Sequence, residues 1–278
     1  DLRADRQPEF TQLDLEMSFV DTADIQALLD GYVVEIWSKI LGYEVQLPIP
    51  SMTYAEAMDK YGVDRPDLRF DLPLTDLTEL LRDRVEFRIF KSVLASDGII
   101  KALYLPEGST FSRKDLDKVL PAEAAPFGAK GIAWARVQAD GAWSGPVSKG
   151  VSDDLRGELN EALGASEGGL ILFSADKASV VNGSLARLRI VAAERLGLID
   201  DTKWAFTWVV DFPMFELDEE AGRFHAMHHP FTSPRDEDLP LLDTDPGAVM
   251  ANAYDLVVNG VELGGGSIRI HRSDVQDK

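Results

Sequence analysis

At 278 residues with 45% hydrophobic content, the chain can build a sizeable core, and its length suits two domains better than one. A formal net charge of −20 excludes a protein that holds nucleic acid by general phosphate attraction, although a local basic patch stays compatible with RNA contact. The absence of cysteine excludes disulfides and Cys-ligated zinc and fits a reducing cytoplasm; no apolar run of about 18 residues offers a membrane span, and Asp1-Leu2-Arg3-Ala4-Asp5-Arg6 is charged where a secretory leader would be apolar.

The first element is predicted to be a strand. Phe10, Gln12, Asp14, Glu16 and Ser18 fall on one face of it, and Leu13, Leu15, Met17 and Phe19 on the other. A helix follows over about 22–41. Ile25, Leu28, Leu29, Tyr32, Val33, Ile36, Trp37 and Ile40 form its apolar stripe, with Asp21 placed to cap it and Gly42 to stop it. From about 70 to 200 the rhythm becomes that of a mixed α+β module. Strand-like runs occur at 86–94, 99–105, 131–137 and 169–174; helix-like runs occur at 75–82, 113–119, 153–163 and 178–196; residues 141–146 read as a loop. Strand character returns at 204–212, where Pro213 would end it. The strongest local signal comes last: two strand-like runs, 253–258 and 261–270, flank Asn259-Gly260, the preferred two-residue hairpin turn.

That hairpin arranges the candidate chemistry. With Asn259-Gly260 as its loop, Val258 faces Val261 and Val257 faces Glu262, so Asp255 shares a face with Glu262 at a diagonal position. Two such carboxylates either hold a magnesium ion, which keeps water and phosphate in the rest of its shell, or are solvated acids on an exposed face. Arg269 lies seven residues beyond Glu262, on the opposite face of a regular strand. One bulge at Gly264-Gly265-Gly266 would return it to the acidic face, where a guanidinium suits a carboxylate substrate; otherwise it is an ordinary surface arginine. All four histidines come late: His225, His228, His229 and His271. His225-x-x-His228-His229 has no partner at a convincing zinc spacing, so a polar pocket contact or a structural pair is expected. On the first strand, Gln12, Asp14 and Glu16 form either a ligand-facing floor or a solvated outer face, and Phe10 beside them suits stacking on a flat ring. Ser112 and Ser148 have no histidine near them in sequence, so the middle of the chain is expected to be non-catalytic.

Several segments together resemble one family. Arg6-Gln7-Pro8-Glu9-Phe10-Thr11-Gln12-Leu13-Asp14-Leu15-Glu16 resembles the second half of motif 2 in bacterial aspartyl-tRNA synthetases, which are class II enzymes. His228-His229-Pro230-Phe231-Thr232 and the run from Asn259 through Gly264-Gly265-Gly266 to Arg269-Ile270-His271 resemble the same family. Tyr54-Ala55-Glu56-Ala57-Met58 and Asp64-Arg65-Pro66-Asp67-Leu68-Arg69 resemble its approach to an insertion, and Phe127-Gly128-Ala129-Lys130-Gly131 resembles the bacterial insertion called the GAD domain.

The resemblance runs in order along essentially the whole chain. It implies an α+β fold in which an antiparallel class II catalytic sheet, from residues 1–69 and 201–278, is interrupted by a GAD-type insertion domain over 70–200. It also implies an aspartate–tRNA ligase. The carboxylate of L-aspartate attacks the α-phosphate of ATP, giving aspartyl-adenylate and pyrophosphate, and the aspartyl group passes to tRNA(Asp). A second acceptor, tRNA(Asn), stays open. The parent is expected to be a cytoplasmic homodimer.

By position, the resemblance gives Gln7, Phe10 and Glu262 to ATP, with Phe10 stacking on adenine. Gln12, Asp14, His228, His229 and Arg269 go to aspartate, Arg269 pairing with its side-chain carboxylate. Asp255 and Glu262 go to magnesium. Arg269 and Glu262 carry a catalysis of charge positioning that needs no protein nucleophile. The Arg-Asp-Glu of motif 2, the motif 3 arginine, the dimer helix of motif 1 and the anticodon-binding barrel are not among these residues, so this length alone is expected to be inactive. The rivals are a non-catalytic, tRNA-associated insertion module with flanking sheet segments, a lysine or asparagine enzyme of the same subclass, and an unrelated carboxylate-pair hydrolase, against which the Gln7-Pro8-Glu9-Phe10-Thr11-Gln12 context speaks. Lysine would need an acidic side-chain pocket, whereas Arg269 predicts an anionic substrate; asparagine enzymes generally lack this insertion.

Overall fold

The computed structural model describes residues 7, 9–218 and 221–278; Arg6 and Pro8 of the motif 2-like segment lie outside the described residues. The chain divides into two compact units, Asp1–Gln46 and Leu47–Lys278.

In the first unit, α1 spans Thr22–Ile36 and continues as a π-helical turn over Trp37–Leu41. Asp21 and Asp24 form a capping box that satisfies two otherwise unpaired amide groups, and Gly42 ends the turn at φ 63°. Both ends of this helix therefore lie where the sequence puts them. The preceding strand does not form: the described residues from Phe10 to Phe19 are irregular, with Phe10 71% exposed. Alternation marks a segment that can be a strand. The strand itself requires a neighbour for its backbone groups, and among the described residues none pairs with this segment.

The second unit runs β1 (Ser51–Thr53), α2 (Tyr54–Tyr61), β2 (Leu74–Asp76), α3 (Thr78–Leu81), α4 (Arg88–Leu94), β3 (Ile99–Leu105), α5 (Leu120–Ala124), β4 (Ala133–Val137) and β5 (Trp143–Ser144). It continues with α6 (Asp153–Leu163), β6 (Leu170–Asp176), α7 (Ala178–Leu196), β7 (Phe206–Val210), β8 (Phe215–Asp218), β9 (Arg223–Ala226), β10 (Ala253–Val258), β11 (Val261–Ser267) and α8 (Ser273–Gln276). Two main sheets result, one of order β1-β7-β10-β11 and one of order β2-β3-β6-β4-β5. Every pair is antiparallel except β1 with β7. The fold is thus α+β with antiparallel sheets. No helix among the described residues is long and apolar enough to cross a membrane.

The five-stranded sheet is covered on both faces. Leu103 and Leu105 of β3 join Leu185 and Leu188 of α7 in one core, while Ile100 and Ala102 join Phe90 of α4 and Leu155 and Leu159 of α6 in the other. Period-2 alternation on β3 thereby serves two cores at once. Where the chain enters and leaves this region, Arg69 bonds Asp67 at 2.7 Å and Asp201 at 3.0 Å. Asp201 is 90% exposed, so the second pair adds little stability.

Several sequence expectations change. Residues 86–94 are rich in apolar residues but form the helix α4, because Phe90 and Leu94, four apart, are buried while Ile89 is 57% exposed. Residues 75–82 divide into the end of β2 and the short α3. Residues 115–119 are a π-helical turn leading into α5. The expected loop at 141–146 contains the edge strand β5, and the last strand ends at Ser267 rather than 270. The β8–β9 hairpin is an addition to the sequence reading: Phe215-Glu216-Leu217-Asp218 and Arg223-Phe224-His225-Ala226 each alternate, but over only four residues.

Candidate active site

The β10–β11 hairpin is the frame of the site. Asn259 and Gly260 both have positive φ, 51° and 81°, the left-handed pair that a two-residue turn of matching twist requires. The Asn259 side chain ties the turn to the start of β7: its Oδ1 accepts from Ala205 N at 2.8 Å, and its Nδ2 donates to Lys203 O at 3.0 Å. Val258 pairs with Val261 and Val257 with Glu262, the register read from the sequence.

The bulge lies elsewhere than expected. Leu256 pairs with Gly264, which leaves Leu263 as the extra residue, just ahead of the glycine run. The glycines serve close approach instead. A Cβ on Gly265 would collide with Asp255 Oδ1, and one on Gly266 would meet the Tyr254 ring at 2.9 Å. One bulge still shifts parity once, so Glu262, Gly265 and Ser267 fall on the Asp255 side. Arg269 lies beyond the end of the strand, and its charge reaches Tyr254, which alternates with Asp255 onto the other face.

Beyond Ser267 the chain changes partner. Arg269 pairs with Thr232, Ser233 N donates to Ile268 O at 2.7 Å, and Ile270 N donates to Phe231 O at 2.8 Å. Thr232 Oγ1 donates to Ser267 Oγ at 3.1 Å. The segment holding His228 and His229 is therefore stitched to the segment holding Arg269.

Asp255 is half-buried on β10, and its carboxyl is pushed up to about 7 by burial first, then by the charges of Glu262 and Asp64. Glu262 is exposed. Burial holds the His228 imidazole below its usual range, against the opposing pull of Asp64 and Glu262, and its ring stands edge-on to Phe212 at 4.4 Å. His229 Nδ1 accepts from Phe231 N at 3.2 Å, while His225 lies 3.7 Å from Glu216 on the β8–β9 hairpin. The three histidines thus engage three different neighbours. Arg269 is exposed and has no ion pair among the described residues; its charge counteracts the rise that burial gives the Tyr254 hydroxyl.

Asp64 is the residue that sequence reading missed. It follows the end of α2, yet its charge acts on Tyr54, His228 and Asp255. No local pattern ties it to a hairpin so far along the chain. Gln7, Phe10, Gln12 and Asp14 belong to the first unit, where all four are exposed and irregular.

The donor set fits magnesium. Asp255 and Glu262 offer only oxygen, and a raised carboxyl beside like charges is a site that a hard cation would relieve. No cage of three or more His, Cys, Asp or Glu occurs among the described residues, so water and phosphate would complete the shell.

The whole chain, residues 1–278, matches the family of class II tRNA synthetases (D, K and N). It is 51% identical over 279 residues to the aspartate–tRNA(Asp/Asn) ligase of Bacillus subtilis, covering 100% of this chain and 47% of that protein. It is 52% identical over 278 residues to the aspartate–tRNA(Asp/Asn) ligase of Heliobacterium modesticaldum, covering 100% and 46%. With the aspartate–tRNA ligase of Halalkalibacterium halodurans it shares 49% identity over 279 residues, covering 100% and 46%. The chain spans about half the length of these curated relatives. The match over residues 1–278, together with relatives about half identical over the whole of this chain, places the chain in the class II tRNA synthetases (D, K and N).

Proposed function

We propose that this chain supplies part of the active site of an aspartate–tRNA ligase, which joins L-aspartate to ATP as aspartyl-adenylate and transfers the aspartyl group to tRNA. The observation that carries this reading is Arg269: an exposed cation without an ion pair among the described residues, laced to the His228–Thr232 segment and following the hairpin that carries Asp255 and Glu262. Such a group suits an anionic side chain and disfavours lysine. The names of the relatives point the same way.

In this reading Arg269 holds the aspartate side chain in a two-pronged pair. His228, kept largely neutral at pH 7 by its partial burial, contacts the substrate, with His229 beside it. Gln12 and Asp14 take the amino group, and Gln7 and Phe10 hold ATP. Asp255 and Glu262 hold magnesium, which neutralises phosphate charge when bound. The substrate carboxylate is itself the nucleophile, so these residues position reactants and balance charge. The domain reading belongs to the same proposal: residues 1–69 and 201–278 form the catalytic part, and 70–200 is a GAD-type insertion. The pairing of β1 with β7 across that insertion supports it. The full-length protein is proposed to be a cytoplasmic homodimer.

The names of the Bacillus and Heliobacterium relatives include tRNA(Asn), and we extend the acceptor to both tRNAs. The test is ATP–pyrophosphate exchange by the full-length protein with aspartate, asparagine and lysine, followed by charging of the two tRNAs. Exchange with aspartate alone is expected. Exchange with lysine, or with no amino acid, overturns the reading, and failure to aspartylate tRNA(Asn) removes its second acceptor.

A further inference from the structure

The turn that carries Asp64 lies outside both strands of the hairpin, and contacts from the five-stranded module hold it. Lys101, on β3, is 4% exposed. Its ammonium donates to Met58 O at 3.3 Å, Asp59 O at 2.9 Å and Asp59 Oδ1 at 3.0 Å. These carbonyls belong to the last turn of α2, the negative end of its dipole, where helix geometry leaves acceptors to spare.

A second hold follows at once. Gly62 has φ 71° and lies so close to α7 that a Cβ there would collide with Asn182 O. Arg189 of α7, 2% exposed, supplies a third. It sits over the rings of Tyr61 at 4.8 Å and Phe70 at 4.1 Å, and donates to Phe70 O at 3.0 Å and Leu72 O at 2.9 Å. On the far side of Asp64, Asp67 packs against the hairpin turn, its Cβ 3.2 Å from where a Gly260 Cβ would stand. Residues 58–62 are thus fixed by the module and residue 67 by the hairpin, with Asp64 between them.

A lysine seldom loses its hydration unless its partners are strong and specific. This one leaves a strand whose neighbours Ile100, Ala102 and Leu103 are buried and apolar, and bonds the end of a helix that precedes the module in the chain. We propose that Lys101 is a positioning residue for the site: it clamps the end of α2 and so sets the 58–67 segment, which carries Asp64, against the Asn259-Gly260 turn of the hairpin. The first test below is independent of the proposed function; the second rests on it.

Both use the full-length protein. In amide hydrogen exchange, Lys101→Met is expected to speed exchange across residues 58–64 about tenfold or more, as a local opening would, while β3 and β6 keep their protection. Lys101→Gln is read in the same way should the Met variant fail to fold. In ATP–pyrophosphate exchange, Asp64→Asn and Lys101→Met are each expected to raise the half-saturating magnesium concentration about threefold, the scale of one charge lost at moderate range. The double variant should move it no further than the larger single shift, because both changes remove the same interaction. Arg84→Gln, which breaks an exposed pair with Glu158 on the module surface, should change neither readout. Unchanged exchange at 58–64 overturns the clamp. So does a magnesium shift in Asp64→Asn that Lys101→Met fails to reproduce. A full-length protein without aspartate-dependent exchange defeats the functional reading instead, and hydrogen exchange alone then decides the clamp.

Discussion

Arg269 and Asp115 show how differently two charged side chains can be used. Arg269 has no ion pair among the described residues, so its charge is free for a ligand. Under the proposed function, Arg269→Ala in the full-length protein should lower kcat/KM for aspartate by about 3 kcal/mol or more, roughly a hundredfold, the cost of leaving a desolvated carboxylate unpaired. Arg269→Lys should not restore it, because a point charge lacks the planar fork. Pyrophosphate exchange reads both, and near-normal kcat/KM in the alanine variant removes the assignment. Asp115, in contrast, is fully committed within the protein. It accepts from Arg195 at 2.7 Å and from Ser112 N and Oγ, both at 2.7 Å, and these bonds hold its carboxyl at about 2 instead of 3.8. A depressed folded-state pKa means that the stabilisation is present above pH 3.8 and is lost as pH falls towards about 2. Asp115→Asn should therefore destabilise the protein at neutral pH and flatten the stability profile between those values. Denaturant unfolding at several acidic pH values checks this; an unchanged acid limb contradicts it.

At the scale of elements, the hairpin carries most of the site. Its turn needs Gly260 at φ 81°, and a Cβ there would also press on Asp67. Gly260→Ala should cost about 1–2 kcal/mol from the left-handed backbone alone, measurable by equilibrium unfolding. Gly265→Ala has another effect, since the new Cβ would occupy the place of Asp255 Oδ1. It should leave stability less affected than magnesium use, which a titration of magnesium in pyrophosphate exchange would separate. Helix α2 is set by its ends: Thr53 and Glu56 form a capping box and Gly62 stops it. Thr53→Ala should cost about 1 kcal/mol, the usual value of such a cap.

At the scale of the molecule, Arg189 joins the segment entering the five-stranded module to its last helix without a carboxylate bonded to it. Its pKa is lowered to about 10 by burial, and backbone carbonyls and two rings serve as its partners. Arg189→Met should destabilise the second unit by about 1–3 kcal/mol, because the carbonyls of Phe70 and Leu72 lose their donor. Thermal unfolding is the measure, and an unchanged midpoint would mean that the packing of Tyr61 and Phe70 suffices.

What the sequence alone determined was local. Asp21 and Gly42 bound the first helix, Asn259-Gly260 makes the hairpin turn, and the register from Val258–Val261 to Val257–Glu262 follows from the turn length. The helices Asp153–Leu163 and Ala178–Leu196 are likewise written in apolar spacing and end in left-handed glycines. Each of these depends on neighbours a few residues apart. What depended on distant partners was not legible. The 10–19 segment has the alternation of a strand, but alternation does not supply a neighbour. The apolar run at 86–94 became a helix because Phe87, Phe90 and Leu94, spaced three and four apart, meet the core. The bulge fell at Leu263, while the glycines at 265 and 266 make room for Asp255 and Tyr254. Asp64 joins the field of Asp255 only because Lys101, Gly62 and Arg189 pack α2 against the module, and packing of that kind is fixed by tertiary structure and not by any local pattern.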